Sequence, residues 1–111
     1  MLSGLKILEE REGSGAVAEK GDTVSFECAG YLSRGDCIQE RRLETATLGQ
    51  REIIAGIEKA LVGMREGGYR KVRISPHLAY GDSGVPGRIP PNAVLIYDLT
   101  LVSVQKEISR L

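Results

Sequence analysis

Residues 80–92 (Tyr-Gly-Asp-Ser-Gly-Val-Pro-Gly-Arg-Ile-Pro-Pro-Asn) constrain the fold of this chain more than any other stretch. The stretch has a glycine at every third position and holds three of the four prolines of the chain: Gly81, Gly84, Gly87, Pro86, Pro90 and Pro91. Proline fixes φ and lacks an N–H donor, and glycine favours turns, so neither a helix nor a central strand can form here. Ile89 precedes a proline and is therefore held extended. Because long loops in small domains are mostly functional or disordered, this stiff loop predicts one wall of a binding site.

The length and charge of the chain limit the classes of partner. A chain of 111 residues predicts one domain with one core. Its 15 basic and 15 acidic residues give zero net charge, which argues against nucleic acid or an anionic membrane as the main partner. The sequence shows neither an apolar run of 18 residues nor a secretory leader. We therefore expect a cytoplasmic monomer that interacts with neither nucleic acid nor membrane.

Metal and cofactor chemistry are not expected. Cys28 and Cys37, the only cysteines, match neither a disulfide framework nor a zinc pattern. His77 is the only histidine and would have to be the sole base of any Ser-His-Asp triad. The basic residues between Arg65 and Arg73 are interpreted as the solvated face of a strand rather than as a nucleic-acid site.

Alternating apolar residues predict about five strands. The clearest strands cover residues 5–10, 23–29, 69–75 and 93–104. A hairpin turn at 33–36 is followed by a returning strand from residue 37, a charged and irregular segment at 39–44, and a short strand at 45–48. One helix is predicted from the 3.6-residue stripe formed by Ile53, Ile54, Ile57, Leu61 and Met64. Together these elements predict an α+β fold in which a five-stranded antiparallel sheet curves around one short helix.

Two glycines refine the helix prediction, and the apolar residues around it leave two interpretations open. Gly63 is suited to the end of the helix, and Gly56 inside it predicts the close approach of another element.

The helix, Ile89, Tyr80 and Tyr97 could line a common apolar concavity. They could equally all belong to the core, and periodicity alone does not decide between these interpretations.

Three motifs resemble the FKBP-type peptidyl-prolyl cis-trans isomerases. They are Leu-Gly-Gln-Arg-Glu-Ile-Ile-Ala-Gly-Ile-Glu at 48–58, Gly-Met-Arg-Glu-Gly-Gly at 63–68, and the stretch from Ala-Tyr-Gly to Ile-Pro-Pro-Asn-Ala-Val-Leu-Ile-Tyr-Asp at 79–98. The resemblance covers roughly residues 5–104 in unbroken order. It implies a single isomerase domain over 1–111 with a core at 5–104 and an extension at 105–111, and a proline-accepting pocket between helix and sheet.

The resemblance also implies roles for individual residues. The Ile54 N–H and the Tyr80 hydroxyl correspond to donors that hold the carbonyls of the bound peptide, and Glu52 to a position that offers its backbone carbonyl. The apolar walls correspond to Ile53, Ile89 and Tyr97, the last standing where the family usually has phenylalanine. Ile57 stands where the family typically has a tryptophan beneath the proline ring.

The opposite wall departs from the family pattern. Cys28 stands at a common tyrosine, and Ile38 and Gln39 stand where the family has Phe-Asp. The segment 40–47 is shorter than in typical members, and the usual wall aromatic is either replaced by Glu44 or missing. These ten positions form the expected site: Tyr80 and Ile54 as catalytic residues, and Ile53, Ile54, Ile57, Tyr80, Ile89, Tyr97, Ile38, Gln39, Cys28 and Glu52 as substrate-binding residues.

The resemblance implies an isomerase of X-Pro bonds that works without cofactor or metal, with reduced activity and weak binding of macrolides such as rapamycin. Its partners would be proline-containing peptides or folding proteins. A non-catalytic FKBP-fold module that binds a partner or chaperones folding chains is the alternative. A third interpretation is a structural domain whose pocket is filled by Tyr97 or Ile57.

Overall fold

The fold is one antiparallel sheet with a short helix, as the sequence predicts. The computed structural model describes residues 4–107. The strands are β1 (Leu5–Arg11), β2 (Thr23–Leu32), β3 (Cys37–Thr47), β4 (Tyr69–Ile74) and β5 (Leu95–Gln105), and they pair in the order β1-β4-β5-β2-β3. The α-helix is α1 (Ala55–Leu61), and a 3₁₀ turn covers Pro76–Leu78. Across the described residues, every helix is too short or too polar to cross a membrane.

The core lies on one face of the central strands. Alternate residues of β2 and β5 are fully buried, whereas their neighbours are partly exposed on the other face. Burial of this face supplies the main driving force for folding, because each large apolar side chain contributes about 1.5–3 kcal/mol. The predicted inward sets are confirmed: Val24, Phe26, Cys28, Val72, Ile74, Leu95, Tyr97, Leu99 and Leu101.

The helix is shorter than its apolar stripe. Ile53 and Ile54 precede it, since Ile54 has the extended angles of an N-cap residue (ψ 148°), and Met64 follows it. The chain leaves the helix through Gly63, whose φ of 92° is left-handed and suits glycine. Gly56 is the point of close approach, because a Cβ there would collide with the Ile74 side chain of β4. The prediction that Gly56 admits a neighbouring element is therefore confirmed.

Strand β3 corrects the sequence prediction. Residues 39–44 were expected to be irregular, but they belong to a continuous strand from Cys37 to Thr47. β3 is an edge strand with mostly exposed side chains, so its sequence needs no apolar alternation. Its register against β2 shifts around Gly30, where residues 28 to 30 of β2 face residues 42 to 39 of β3. This bulge places Gln39 and Arg42, three residues apart, on the same side of the strand.

The 80–92 loop closes on itself through backbone hydrogen bonds. Val85 and Ile89 exchange two N–H···O bonds of 2.8 Å, and between them Pro86 and Gly87 form the centre of a type II turn, with Gly87 at φ 80°. At the base of the loop, the Asn92 N–H donates to the Gly81 carbonyl at 2.9 Å. The loop is thus a small folded unit that presents Ile89 in a fixed position.

The end of β5 is held by a buried carboxylate. Asp22 is 2% exposed and accepts hydrogen bonds from the backbone N–H groups of Glu19 (2.9 Å) and Glu107 (3.0 Å) and from Lys106 Nζ (2.6 Å). Residues 105–107 of the predicted extension are therefore part of the folded unit, and residues 108–111 lie outside the described residues. The prediction of a single domain over 1–111 stays a prediction.

We predict that Gly56→Ala destabilises the protein although alanine is the better helix former. The gain in helix propensity is about 1 kcal/mol, but overpacking against Ile74 costs about 1–3 kcal/mol. The urea-unfolding midpoint should fall accordingly. In an Ile74→Ala background the clash is gone, so the same substitution should raise the midpoint. A stabilised Gly56→Ala single variant would show that the helix does not sit this close to β4.

We predict that the contribution of Asp22 to stability depends on pH. Burial alone would raise the pKa of Asp22, but the hydrogen bonds from Lys106, Glu107 and Glu19 outweigh it and lower that pKa from its ordinary value of 3.8. A carboxyl with a lowered folded-state pKa stabilises the fold above its unfolded-state pKa, and the effect is lost as the pH falls through the folded-state value.

Asp22→Asn should therefore cost about 1.5–3 kcal/mol of unfolding free energy at pH 7. The difference from the original protein should shrink below about pH 4. Glu12→Gln, at a 75% exposed carboxylate, is the matched control and should change stability little. An equal loss for Asp22→Asn at every pH would contradict a role for its charge.

Candidate functional site

Two adjoining cavities lie between the start of α1, strand β3 and the 80–92 loop. The larger, of about 410 Å³, opens at the start of α1 and collects seven of the ten predicted site residues: Gln39, Glu52, Ile53, Ile54, Ile57, Tyr80 and Tyr97. The smaller, of about 210 Å³, is lined by the loop and β3 and adds Ile38 and Ile89. Gln39, Arg42, Tyr80 and Tyr97 line both cavities. The structure thus brings nine of the predicted residues around one continuous concavity.

Tyr97 forms the floor where the two cavities meet. It lies on the buried face of β5 directly opposite Gly30 of β2, and a Cβ on Gly30 would lie 2.6 Å from the Tyr97 ring. Glycine at this position therefore lets the ring lie across the neighbouring strand. Burial raises the pKa of the Tyr97 hydroxyl, and the nearby Tyr80, Cys28 and Glu44 add to the effect. The hydroxyl consequently stays protonated and can act only as a neutral hydrogen-bonding group.

The helix side of the site is apolar and carries an unused donor. Ile57 and Ile89 are almost completely buried, whereas Tyr80 is 36% exposed on the rim. The carbonyl of Ile54 accepts the first helical hydrogen bonds, from the N–H groups of Ile57 and Glu58. Among residues 4–107, the Ile54 N–H itself donates no hydrogen bond. A free N–H in a cavity wall can receive a carbonyl oxygen of a ligand.

The wall formed by β2 and β3 is polar. Gln39 Nε2 donates to Cys28 Sγ at 2.9 Å and approaches Glu44 Oε2 at 3.5 Å, and the Cys28 thiol donates to the same carboxylate oxygen at 3.4 Å. Arg42 Nε donates to Glu44 at 2.9 Å. With its amide nitrogen so engaged, Gln39 turns its oxygen toward the Tyr97 hydroxyl, 3.4 Å away. The three of these residues that line the cavities, Gln39, Arg42 and Glu44, are called the polar wall below.

Cys28 supports this wall from beneath and lines neither cavity. Its side chain is fully buried, and burial raises the pKa of its thiol to about 11, with the Gln39 hydrogen bond opposing and the Glu44 charge reinforcing the shift. The prediction that Cys28 itself lines the pocket is therefore not matched by the structure, which places it one layer behind Gln39. It acts on the pocket only through the side chain it holds.

Several residues of the site were not predicted from the sequence. Arg42, Glu44, Arg51, Val85 and Arg88 line the cavities, and of these only Glu44 was considered. Arg42 and Glu44 are two residues apart in a strand and therefore lie on the same face. This pattern was not recognised because residues 39–44 were expected to be irregular. Arg88 Nη2 also donates to the Ile38 carbonyl at 2.5 Å, which ties the loop to β3. The described residues contain no group of three or more His, Cys, Asp or Glu arranged to hold a metal ion.

Comparison with known proteins identifies the family of the chain. A sequence model of the FKBP-type peptidyl-prolyl cis-trans isomerase family matches residues 15–102. The chain belongs to this family. Among its relatives are an FK506-binding protein of Neisseria meningitidis serogroup B, 36% identical over 107 residues, and an FK506-binding protein 1A of Neurospora crassa, 38% identical over 109 residues.

The relatives differ in length. The alignment covers 93% of this chain and 98% of the Neisseria protein, and 94% of this chain and 91% of the Neurospora protein. FK506-binding protein 4 of Chaetomium thermophilum is 36% identical over 108 residues, which are 95% of this chain and only 22% of that protein. The family is therefore shared by proteins about as long as this chain and by others in which the matching region is about one fifth.

We predict that the two thiols differ strongly in reactivity. Cys37 is exposed, whereas Cys28 is buried with a raised pKa, so at pH 8 only about one Cys28 thiol in a thousand is ionised. A colorimetric disulfide reagent should modify one thiol rapidly and the second only after unfolding. Cys37→Ser should remove the fast phase and Cys28→Ser should retain it. Rapid modification of the Cys37→Ser variant would show that the polar wall is open to solvent.

Proposed function

We propose that this protein is a peptidyl-prolyl cis-trans isomerase that accelerates the rotation of X-Pro bonds. The proposal rests on family membership and on one observation, the concavity lined by Ile54, Ile57, Tyr80, Ile89 and Tyr97. A filled pocket, the third interpretation of the sequence, predicts no such space. The cavity volume supports a site that receives a small apolar ring such as that of proline.

The reaction needs no nucleophile, metal or proton transfer. Rotation about a peptide bond has a barrier of about 18–20 kcal/mol, because amide resonance is lost at the twisted geometry. A site that holds the twisted amide better than the planar amide lowers that barrier. Burial against Ile57, Ile89 and Tyr97 removes water, which weakens the charge-separated planar form. The Ile54 N–H and the Tyr80 hydroxyl would hold the peptide carbonyls on either side.

The polar wall supports the expectation of reduced activity. In place of apolar rings, this side offers an amide, a carboxylate and a guanidinium that are already bonded to one another. A lost packing ring costs about 1–3 kcal/mol of binding free energy by buried area, and each 1.4 kcal/mol is tenfold in affinity. The same observation favours the second candidate, a non-catalytic module that binds partners or chaperones folding chains.

The partners follow from the same site. We propose proline-containing segments of peptides or folding proteins as substrates, and weak binding of macrolides such as FK506, the ligand for which its relatives are named. Competition between FK506 and a proline peptide would test this, since full independence of the two would exclude a shared pocket. A single-domain monomer in the cytoplasm stays a prediction.

We predict that Tyr80→Phe lowers the rate of catalysed isomerisation about 2–10-fold. The estimate corresponds to the loss of one hydrogen bond of about 0.5–1.5 kcal/mol at the reacting carbonyl. The measurement is the exchange rate between cis and trans signals of a Leu-Pro peptide by NMR. Tyr31→Phe is the matched control, because Tyr31 loses the same hydroxyl on the opposite face of the sheet, outside both cavities.

Two outcomes would contradict the proposal. If the unaltered protein leaves the exchange rate unchanged at stoichiometric concentration, it is not an isomerase and the binding module remains. If the protein is active but Tyr80→Phe and Tyr31→Phe have equal effects, the hydroxyl of Tyr80 does not contact the substrate.

A further inference from the structure

Three arginines surround the concavity, and the carboxylates beside them are already engaged. Arg42, Arg51 and Arg88 line the cavities together with only two acidic residues, Glu44 and Glu52. The formal charge of the lining residues is therefore three positive minus two negative, or +1. What a ligand meets depends on which of these charges are free.

Both carboxylates line the larger cavity and accept hydrogen bonds from protein donors, but among the described residues only Glu44 is paired with a cation, so Glu52 keeps its charge in the cavity. Glu44 Oε2 accepts hydrogen bonds from Arg42 Nε at 2.9 Å and from Cys28 Sγ at 3.4 Å. Glu52 Oε1 accepts from the backbone N–H of Thr47 at 2.9 Å. The pairing of Arg42 with Glu44 cancels one positive and one negative charge at the junction of the two cavities.

Arg51 and Arg88 line different cavities, and neither is paired with a carboxylate of the described part of the chain, so together with Glu52 they leave the lining with a net charge of +1. Within residues 4–107, neither guanidinium lies within ion-pair distance of a carboxylate. Arg51 lines the larger cavity beside the start of α1, in a left-handed conformation with φ 59°. Arg88 lines the smaller cavity and uses one nitrogen on the Ile38 carbonyl, which leaves further N–H donors of its planar fork available.

We propose that this pocket selects proline segments that carry aspartate or glutamate close to the proline, with Arg51 and Arg88 as specificity-determining residues. This inference rests on the proposed function of the site as a proline pocket. An extended chain passing through the concavity would place residues flanking the proline near both guanidinium groups. Carboxylates on those residues would gain charge-assisted hydrogen bonds, and ammonium groups would be repelled.

The expected size of the selection is modest and depends on salt. Each exposed ion pair contributes on the order of 0.2–1 kcal/mol, which is about 1.4–5-fold in affinity. Two such pairs predict that a doubly acidic peptide binds about 2–25-fold more tightly than its neutral counterpart at low ionic strength. The difference should become smaller at high salt, where the screening length falls to about 3 Å at 1 M.

The test uses three peptides that share one Leu-Pro bond. In Ala-Xaa-Leu-Pro-Xaa-Ala, blocked at both ends, Xaa is Glu, Gln or Lys, so the reacting bond is the same throughout. Dissociation constants are measured by NMR titration at low and high salt, and isomerisation by cis–trans exchange. We expect the order Glu, Gln, Lys from tightest to weakest binding, with the spread reduced at high salt.

The variants separate charge from folding. Arg51→Gln and Arg88→Gln remove the charge and keep a polar side chain, and the urea-unfolding midpoint of each variant shows whether loss of the Arg88 bond to the Ile38 carbonyl affects folding. The double variant lowers the net charge of the lining from +1 to −1 and should lose the preference for the Glu peptide, and Arg51→Glu should favour the Lys peptide relative to the original protein. Arg41→Gln is the matched control: Arg41 lies on β3, pairs with Glu27 at 3.5 Å and lines neither cavity, so its loss should leave the order unchanged.

The outcomes distinguish the two proposals. Equal binding of the three peptides at low salt, with exchange still accelerated, would overturn the charge selection and leave the isomerase proposal standing. A Glu preference that persists in the double variant would overturn the roles of Arg51 and Arg88. If none of the three peptides binds or isomerises faster, the proline pocket itself is refuted, and the selection proposed on it falls as well.

Discussion

The close approach of Tyr97 to Gly30 is the contact on which the site depends. β2 and β5 are the central strands, and pairing in register puts Gly30 opposite Tyr97 on the buried face. Any side chain at residue 30 would collide with the ring. The ring therefore defines the floor, and the register shift beside Gly30 in turn brings Gln39 within 3.4 Å of its hydroxyl. One small residue thus sets both the depth of the concavity and the placement of its polar wall.

The two sides of the concavity are rigid for different reasons. The 80–92 loop has its backbone angles fixed by proline and glycine and its ends tied by hydrogen bonds, so Ile89 needs little further ordering when a ligand binds. The polar wall is ordered by side-chain hydrogen bonds among Cys28, Gln39, Arg42 and Glu44. Arg88 connects the two sides through the Ile38 carbonyl. The loop is thereby held at a fixed distance from β3.

The sequence predicts the fold well wherever burial imposes a period. In β2, β4 and β5 the alternation is read directly, because one face is buried and a shift of one residue would reverse every side chain. The motif at 79–98 likewise predicts most of the apolar wall. β3 was wrong in its middle because an edge strand with two solvated faces carries no such pattern, and the bulge that aligns Gln39 with Arg42 depends on Gly30 in another strand. Cys28 was expected to line the pocket, but it lies beneath Gln39 of β3. Alternation shows that it points inward but not that Gln39 covers it.

The polar wall changes what the pocket can discriminate. A wall of apolar side chains binds the proline ring through buried area, and charges near the proline affect that binding little. A wall of paired charges packs less well against the ring, but its binding depends on the charge of the ligand. Because Glu44 is paired with Arg42, the remaining charges of the lining are the guanidinium groups of Arg51 and Arg88 and the carboxylate of Glu52, a net charge of +1. A protein that loses affinity for the ring on one side can therefore recover part of it from residues that flank the proline. Under the proposed function, this trade would favour particular sequences over proline in general, so that weak activity on a neutral peptide and effective action on an acidic segment would be compatible properties of the same site.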